Sequence, residues 1–185
     1  MNDGSLIDAI LSGDESATSI LMNRYKDFAF TLSLRILKNR EDAEEVVHDS
    51  ILKALRSLNR FNRNSSFKTW LFRIVHNTSI SRLRKNKMND TVVDSEMFFE
   101  KESFYVEEPI SEYDIKTVLA KVLETLKAAD RALIELFYFE NLDLKEVSEV
   151  LSLSEANVKV KLFRIRKKLA TEIVKSHAEI INQIT

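Results

Sequence analysis

Two short apolar-periodic segments separated by three residues constrain this chain most: Leu144–Leu151 and Glu155–Leu169, joined by Ser152–Ser154. In the second, Val158, Leu162, Ile165 and Leu169 recur at spacings of four, three and four, which places them on one stripe of a helix. The pair therefore reads as a helix-turn-helix. The opposite face of the second helix shows Ala156, Val160, Phe163 and Lys167, flanked by Asn157, Lys159 and Arg164. From Asn157 to Lys168 there are six basic residues and no acidic one. Cations beside small and apolar groups suit a DNA major groove, where phosphates attract the former and base edges meet the latter. A plain solvated helix with Lys and Arg in its last turns would also satisfy the helix dipole. That alternative leaves Phe163 exposed without a reason.

One proline and two glycines in 185 residues argue for long helices and against turn-rich β architecture. The length allows one domain or two small ones, and an apolar content of 44% is ample for packed cores. With no cysteine there is neither a disulfide framework nor a thiolate metal site. The opening MNDGSLIDAI lacks a basic n-region, and no apolar run approaches the roughly 18 residues of a membrane span. The expectation is a soluble, cytoplasmic protein. Its net charge of −1 hides a segregated pattern. Residues 60–87 hold eight Lys or Arg and no acid, residues 88–114 hold nine Asp or Glu against Lys101 alone, and residues 157–168 are basic again. Two cationic helical regions around an acidic joint resemble a bipartite nucleic-acid binder.

Along the chain, Leu6–Leu11 predicts a short helix that stops at Ser12–Gly13, and Asp14 can cap a longer one running to Leu37. Asp42–Leu58 predicts a third helix with Ala43, Val47, Ser50, Ile51, Ala54 and Leu58 inward. Asn62–Ser66 is a loop signal, and a fourth helix follows from Phe67 to about Lys85. Between Asn86 and Tyr113 the helical period disappears, yet Met97, Phe98, Phe99, Phe104 and Tyr105 are too apolar for a purely solvated tether. The period resumes near Ile115 with Val118, Leu119, Val122, Leu123 and Leu126, then Leu133–Glu140. The predicted fold class is all-α: two small helical domains, 1–86 and 114–185, joined by a flexible acidic linker over 87–113.

Enzyme chemistry finds little support. His48, His76 and His177 lie in separate segments without metal-ligand spacing, and Gly4 and Gly13 make no phosphate-cradling loop. No metal or cofactor is expected. Asp42, Glu45 and Asp49 share a helix face with Lys53 and Arg56, and Leu52 lies among these charges. A lone exposed leucine is ordinary; alternatively a partner helix docks there, with charge fixing its register.

The segment Arg60–Arg84 interleaves Phe61, Phe67, Trp70 and Phe72 with Arg60, Arg63, Lys68 and Arg73. Aromatics supply stacking worth about 1–3 kcal/mol per base, and cations neutralise the backbone of a single strand. Leu71, Ile74 and Val75 read as core, whereas Phe67 and Trp70 are expected to be partly exposed.

Taken together, DAEEVVHDSILKALRSLNRF, SSFKTWLFRIVHNTSISRLRK, an acidic strap and a terminal helix-turn-helix ending VKVKLFRIRKKL resemble a bacterial RNA polymerase sigma factor. The similarity is to the two-domain extracytoplasmic-function (ECF) group of the sigma-70 family, from LIDAILSGD to about Leu169. It implies that Asp42, Glu45, His48, Asp49, Leu52 and Lys53 contact core polymerase. It implies that Phe61, Asn62, Arg63, Asn64 and Ser65 form the loop receiving a base flipped from the promoter −10 element, with Asn77 helping to form the pocket. Phe67, Lys68, Trp70 and Arg73 match the melting region, where base extrusion costs a few kcal/mol repaid by stacking, without ATP. Asn157, Lys159, Val160, Phe163, Arg164 and Lys167 would face the −35 duplex. An anti-sigma factor is an implied further partner. Relatives often carry proline at the position of Lys127 and glycine at Ser152, and Ala156–Val160 (ANVKV) departs from their usual turn sequence. The rival reading is a stand-alone helix-turn-helix regulator of duplex operator DNA, which gives the Phe61–Trp70 segment no role.

Overall fold

A computed structural model describes residues 1–89, 123 and 125–184. Most of the expected linker, its aromatics at 97–99, 104 and 105, and the expected helical onset from Ile115 through Val122 lie outside the described residues.

Among the described residues the chain is helical, without strands. Helix α1 spans Asp3–Leu11, α2 Glu15–Leu37, α3 Arg40–Ser57 and α4 Phe67–Asn89, with a single 3-10 turn at Leu58–Arg60. Local chemistry sets the starts. Asn2 accepts from the Ser5 amide at 2.8 Å, Asp14 from the Ser16 amide at 2.9 Å, and Asn39 from the Asp42 amide at 2.7 Å. Each such cap stabilises its helix by about 1 kcal/mol. Lys38, at φ 57°, ends α2 in the left-handed conformation.

Helices α2, α3 and α4 pack mutually, with α1 against α2. Leu21, Leu32 and Ile36 of α2 meet Ala43, Val46 and Ala54 of α3 and Leu71, Phe72 and Val75 of α4 in the core. The expected inward face of α3 is observed, except that Ile51 is only partly buried and Val46, unexpected, is wholly buried. Val46 lies three residues after Ala43, on the same stripe.

The second half begins with α5, Ala128–Ile134, which runs into a widened π turn at Glu135–Phe139. That turn closes with the Glu140 amide donating to the Glu135 carbonyl at 2.9 Å, and it leaves Tyr138 and Phe139 exposed above a buried Leu136. Helix α6, Leu144–Leu151, starts with a reciprocal capping box. The Glu146 amide donates to Asp143 at 2.8 Å, and the Asp143 amide donates to Glu146 Oε2 at 3.1 Å. Ser152, at φ 54°, turns the chain into α7, Glu155–Ile184, which extends well past the expected Leu169. Val147, Val150, Val158, Leu162 and Ile165 close this half around Ala132, Leu133 and Leu136.

The halves also pack on each other, α6 against α4 and α5 against α2. Arg35 Nε bonds Glu135 Oε2 at 3.2 Å, and Arg131 Nη2 donates to the Ile36 carbonyl at 3.2 Å near the end of α2.

Candidate nucleic-acid interface

The α6–α7 pair places one face outward. Val158, Leu162 and Ile165 are buried, so the rotation of α7 presents Ala156, Asn157, Lys159, Val160, Phe163, Arg164 and Lys167 to solvent, with Phe163 67% exposed. Lys159, Arg164 and Lys167 make no ion pair among the described residues, which leaves their charge available to phosphates. Lys161 and Arg166 differ. Lys161 lies 3.5 Å from Asp130, and the Arg166 guanidinium sits 5.6 Å from the centre of the Tyr138 ring. They brace α7 against α5 and its π turn.

A second surface forms where the Asn62–Ser66 loop enters α4. Within the loop the Asn64 amide donates to Asn62 Oδ1 at 3.1 Å, Arg63 takes φ 60°, and its guanidinium pairs with Asp8 of α1. Ser66 accepts from the Thr69 amide at 3.0 Å and so caps α4. Asn62, Arg63 and Asn64 are exposed, and Ser65 is half-buried. Trp70, Arg73 and Asn77 follow at spacings of three and four, so they share a helix face that continues from the loop. Trp70 is half-buried and the other two are exposed.

Phe67 departs from expectation. It is 3% exposed, because it lies on the inward stripe that continues through Leu71 and Val75. It forms the floor of an aromatic cluster, 5.7 Å from Tyr25, 5.9 Å from Phe61 and 5.7 Å from Trp70 between ring centres. Phe61 and Trp70, 5.0 Å apart, carry the cluster's outer side. Lys68 is not part of that surface. Its ammonium lies 5.5 Å from the centres of both the Phe28 and Phe72 rings, and 2.9 Å from Glu140 Oε2.

The six α3 positions divide in two. Asp42 binds Arg82 at 3.0 Å and Asn86 at 2.7 Å, and Glu45 binds Arg82 at 2.5 Å, so both carboxylates join α3 to α4. The hydrogen bond from Arg82 holds the Glu45 carboxyl below its ordinary range. His48, Leu52 and Lys53 are exposed, with Asp49 half-buried beside them. Lys53 donates to Thr78 at 3.2 Å. Sequence reasoning missed Arg82, Glu140 and Glu146, whose roles depend on partners distant in the chain.

Two family models divide the chain. One described as Sigma-70 region 2 matches residues 21–88, and one described as Sigma-70, region 4 matches residues 116–169. The chain belongs to the sigma-70 family. Similar proteins place it with the ECF RNA polymerase sigma factors. SigW of Bacillus subtilis is 27% identical over 177 residues, covering 90% of this chain and 94% of the relative. The ECF sigma-E factor of Haemophilus influenzae is 25% identical over 182 residues, covering 94% and 96%. Among solved structures, CnrH in complex with the cytosolic domain of CnrY matches at a TM-score of 0.66, with 22% identity over 91% of this chain and 95% of that one. The sigma factor RpoE of Bartonella quintana, solved with the anti-sigma factor NepR, matches at 0.63 and 22% identity over 83% and 94%. These two structures share the fold. As a sigma factor the chain acts with RNA polymerase in transcription initiation, and a stand-alone operator-binding regulator is not favoured. No helix among the described residues is long and apolar enough to cross a membrane.

Proposed function

We propose that the two DNA tasks and the polymerase contact of this sigma factor are divided among three surfaces. The exposed face of α7 (Asn157, Lys159, Val160, Phe163, Arg164, Lys167) reads the −35 duplex. The loop and outer face of α4 (Phe61, Asn62, Arg63, Asn64, Ser65, Trp70, Arg73, Asn77) capture unpaired −10 bases, with buried Phe67 as the floor beneath them. The outer face of α3 around His48, Asp49, Leu52 and Lys53 docks on core polymerase, with Asp42 and Glu45 at its edge. The division follows the expected domains 1–86 and 114–185. The chain performs no covalent chemistry and works in the cytoplasm; an anti-sigma factor, such as the one in the Bartonella structure, is its inhibitory partner.

One observation carries this reading: Phe61, Trp70, Arg73 and Asn77 form a continuous aromatic, cationic and amide surface that contains no residue of the −35 face. Val160 presents methyl groups suited to a thymine methyl in the major groove. Binding should be strongly salt-dependent, because phosphate contacts release counterions.

The test is a pair of variants in reconstituted holoenzyme. Trp70→Ala should weaken binding to a forked promoter with an unpaired −10 strand by about 5- to 150-fold, the equivalent of about 1–3 kcal/mol of stacking. Its affinity for duplex carrying only the −35 element should not change. Phe163→Ala should show the reverse. Equal losses on both DNAs for both variants would contradict the division.

A further inference from the structure

Helix α1 lies upstream of residues 21–88, the stretch matched as region 2, yet it reaches the loop assigned to −10 capture. It buries Leu6 and Ile7, and it packs on α2 and on the Leu58–Arg60 turn that leads into that loop. Two of its carboxylates make the outward contacts. Asp3, in the first turn, accepts from the Arg24 guanidinium and from the Tyr25 hydroxyl, both on α2. The Tyr25 ring in turn lies 5.7 Å from Phe67, the floor of the aromatic cluster. Burial, and then the adjacent Asp3, raise the Tyr25 hydroxyl above its ordinary value, so it stays protonated and keeps donating. Asp8, at the start of the last turn, pairs with Arg63 of the loop. One end of α1 is thus fixed beside the floor of the capture surface, and the other grips its loop.

Arg63 is where a grip has most effect. It takes φ 60°, a conformation that a side chain disfavours because its Cβ crowds the carbonyl oxygen. Inside the loop, the Asn64 amide donating to Asn62 Oδ1 gives one local restraint. The pair with Asp8 adds a second, anchored 55 positions away on a packed helix. A loop held in its binding conformation loses less freedom when a strand arrives. The contact uses Nη2, whereas a guanidinium carries five N–H donors in one rigid fork. Asp8 therefore sets the direction of the fork and leaves other donors for a phosphate.

We propose that Asp8 is a positioning residue for −10 capture: through Arg63 it presets the Asn62–Ser66 loop, so the unpaired strand meets a surface already shaped. The proposal rests on assigning that loop to −10 capture. It gives α1 a part in promoter opening although Asp8 itself touches no base. The opposite arrangement, in which Asp8 competes with a phosphate for Arg63, has the opposite sign, since removing the carboxylate would then strengthen binding.

The test uses reconstituted holoenzyme and a forked promoter oligonucleotide with an unpaired −10 strand and no −35 element. Asp8→Asn keeps the shape of the side chain and removes its charge. It should weaken probe binding about two- to fivefold, the range that an exposed ion pair supports. Asp8→Glu, which keeps the carboxylate, should restore most of the loss. In an Arg63→Ala background, Asp8→Asn should cost nothing more, because its partner is gone. A merely structural role for Asp8 would cost the same in both backgrounds, and that result would overturn the proposal. Unchanged or tighter binding by Asp8→Asn would overturn it as well. Trp70→Ala, measured on the same probe, separates the two levels of the argument. If it weakens binding while Asp8→Asn does not, the positioning role falls and −10 capture stands. If neither variant weakens binding, the assignment of the capture surface falls, and the proposal with it.

Discussion

Glu135 shows how a single side chain can be read for its effect on the fold. Burial raises its carboxyl above the ordinary 4.5, although the Arg35 guanidinium pulls the other way. The folded chain therefore keeps that proton to higher pH than the unfolded chain does. Stability contributed at this position falls as pH rises from about 4.5 through the raised value. Glu135→Gln cannot ionise, so its melting temperature relative to the native chain should move upward as pH rises from about 4.5 through the range where the native carboxyl ionises. A constant difference across that range would contradict the assignment. Ser50 offers a second case, since its buried hydroxyl finds no hydrogen-bond partner among the described residues. Ser50→Ala should leave stability unchanged or raise it by about 1 kcal/mol in denaturant unfolding, because it removes an unsatisfied group. Some of this scale was legible from sequence: the cap at Asp14 follows from residue type and position, whereas Ser66 read only as the end of a loop. Phe67 was not legible. Its cationic neighbours suggested exposure, but the helix rotation fixed by Leu71 and Val75 turns it inward.

At the scale of elements, the helix-turn-helix was the most legible part, because its apolar spacing and short turn leave few other ways to bury Val147, Val150, Val158 and Leu162 together. The turn itself carries strain. Ser152 sits at φ 54°, where a side chain is disfavoured by about 1 kcal/mol and glycine is not. Ser152→Gly should therefore raise stability by about 1 kcal/mol, measured by thermal unfolding, with −35 binding unchanged. A loss of stability would show that the serine hydroxyl matters more than the backbone. The π turn at Glu135–Phe139 was not legible, since its apolar residues fit an ordinary helical period and only the packed structure widens it. Nor was the split of the α3 acids: Asp42 and Glu45 look alike with Asp49 in sequence, but Arg82, about forty residues on, claims only the first two.

At the scale of the whole molecule, segregated charge announced two cationic regions, and the structure keeps them on separate surfaces. What sequence did not show is the pairing between halves. Lys68 and Glu140 are 72 positions apart, and neither stands out in its own segment. Salt bears on both arrangements, weakening DNA binding through counterion release and, less steeply, the cross-half ion pairs. The account's central claim is that α3 joins this sigma factor to polymerase. It is tested most directly by co-elution of the purified chain with sigma-free core RNA polymerase on a sizing column, beside Leu52→Glu. The account predicts a one-to-one complex for the native chain and a markedly weakened one for the variant, because a charge replaces the exposed leucine on α3. Absence of any complex with the folded native chain, or a complex unaffected by the substitution, would contradict it.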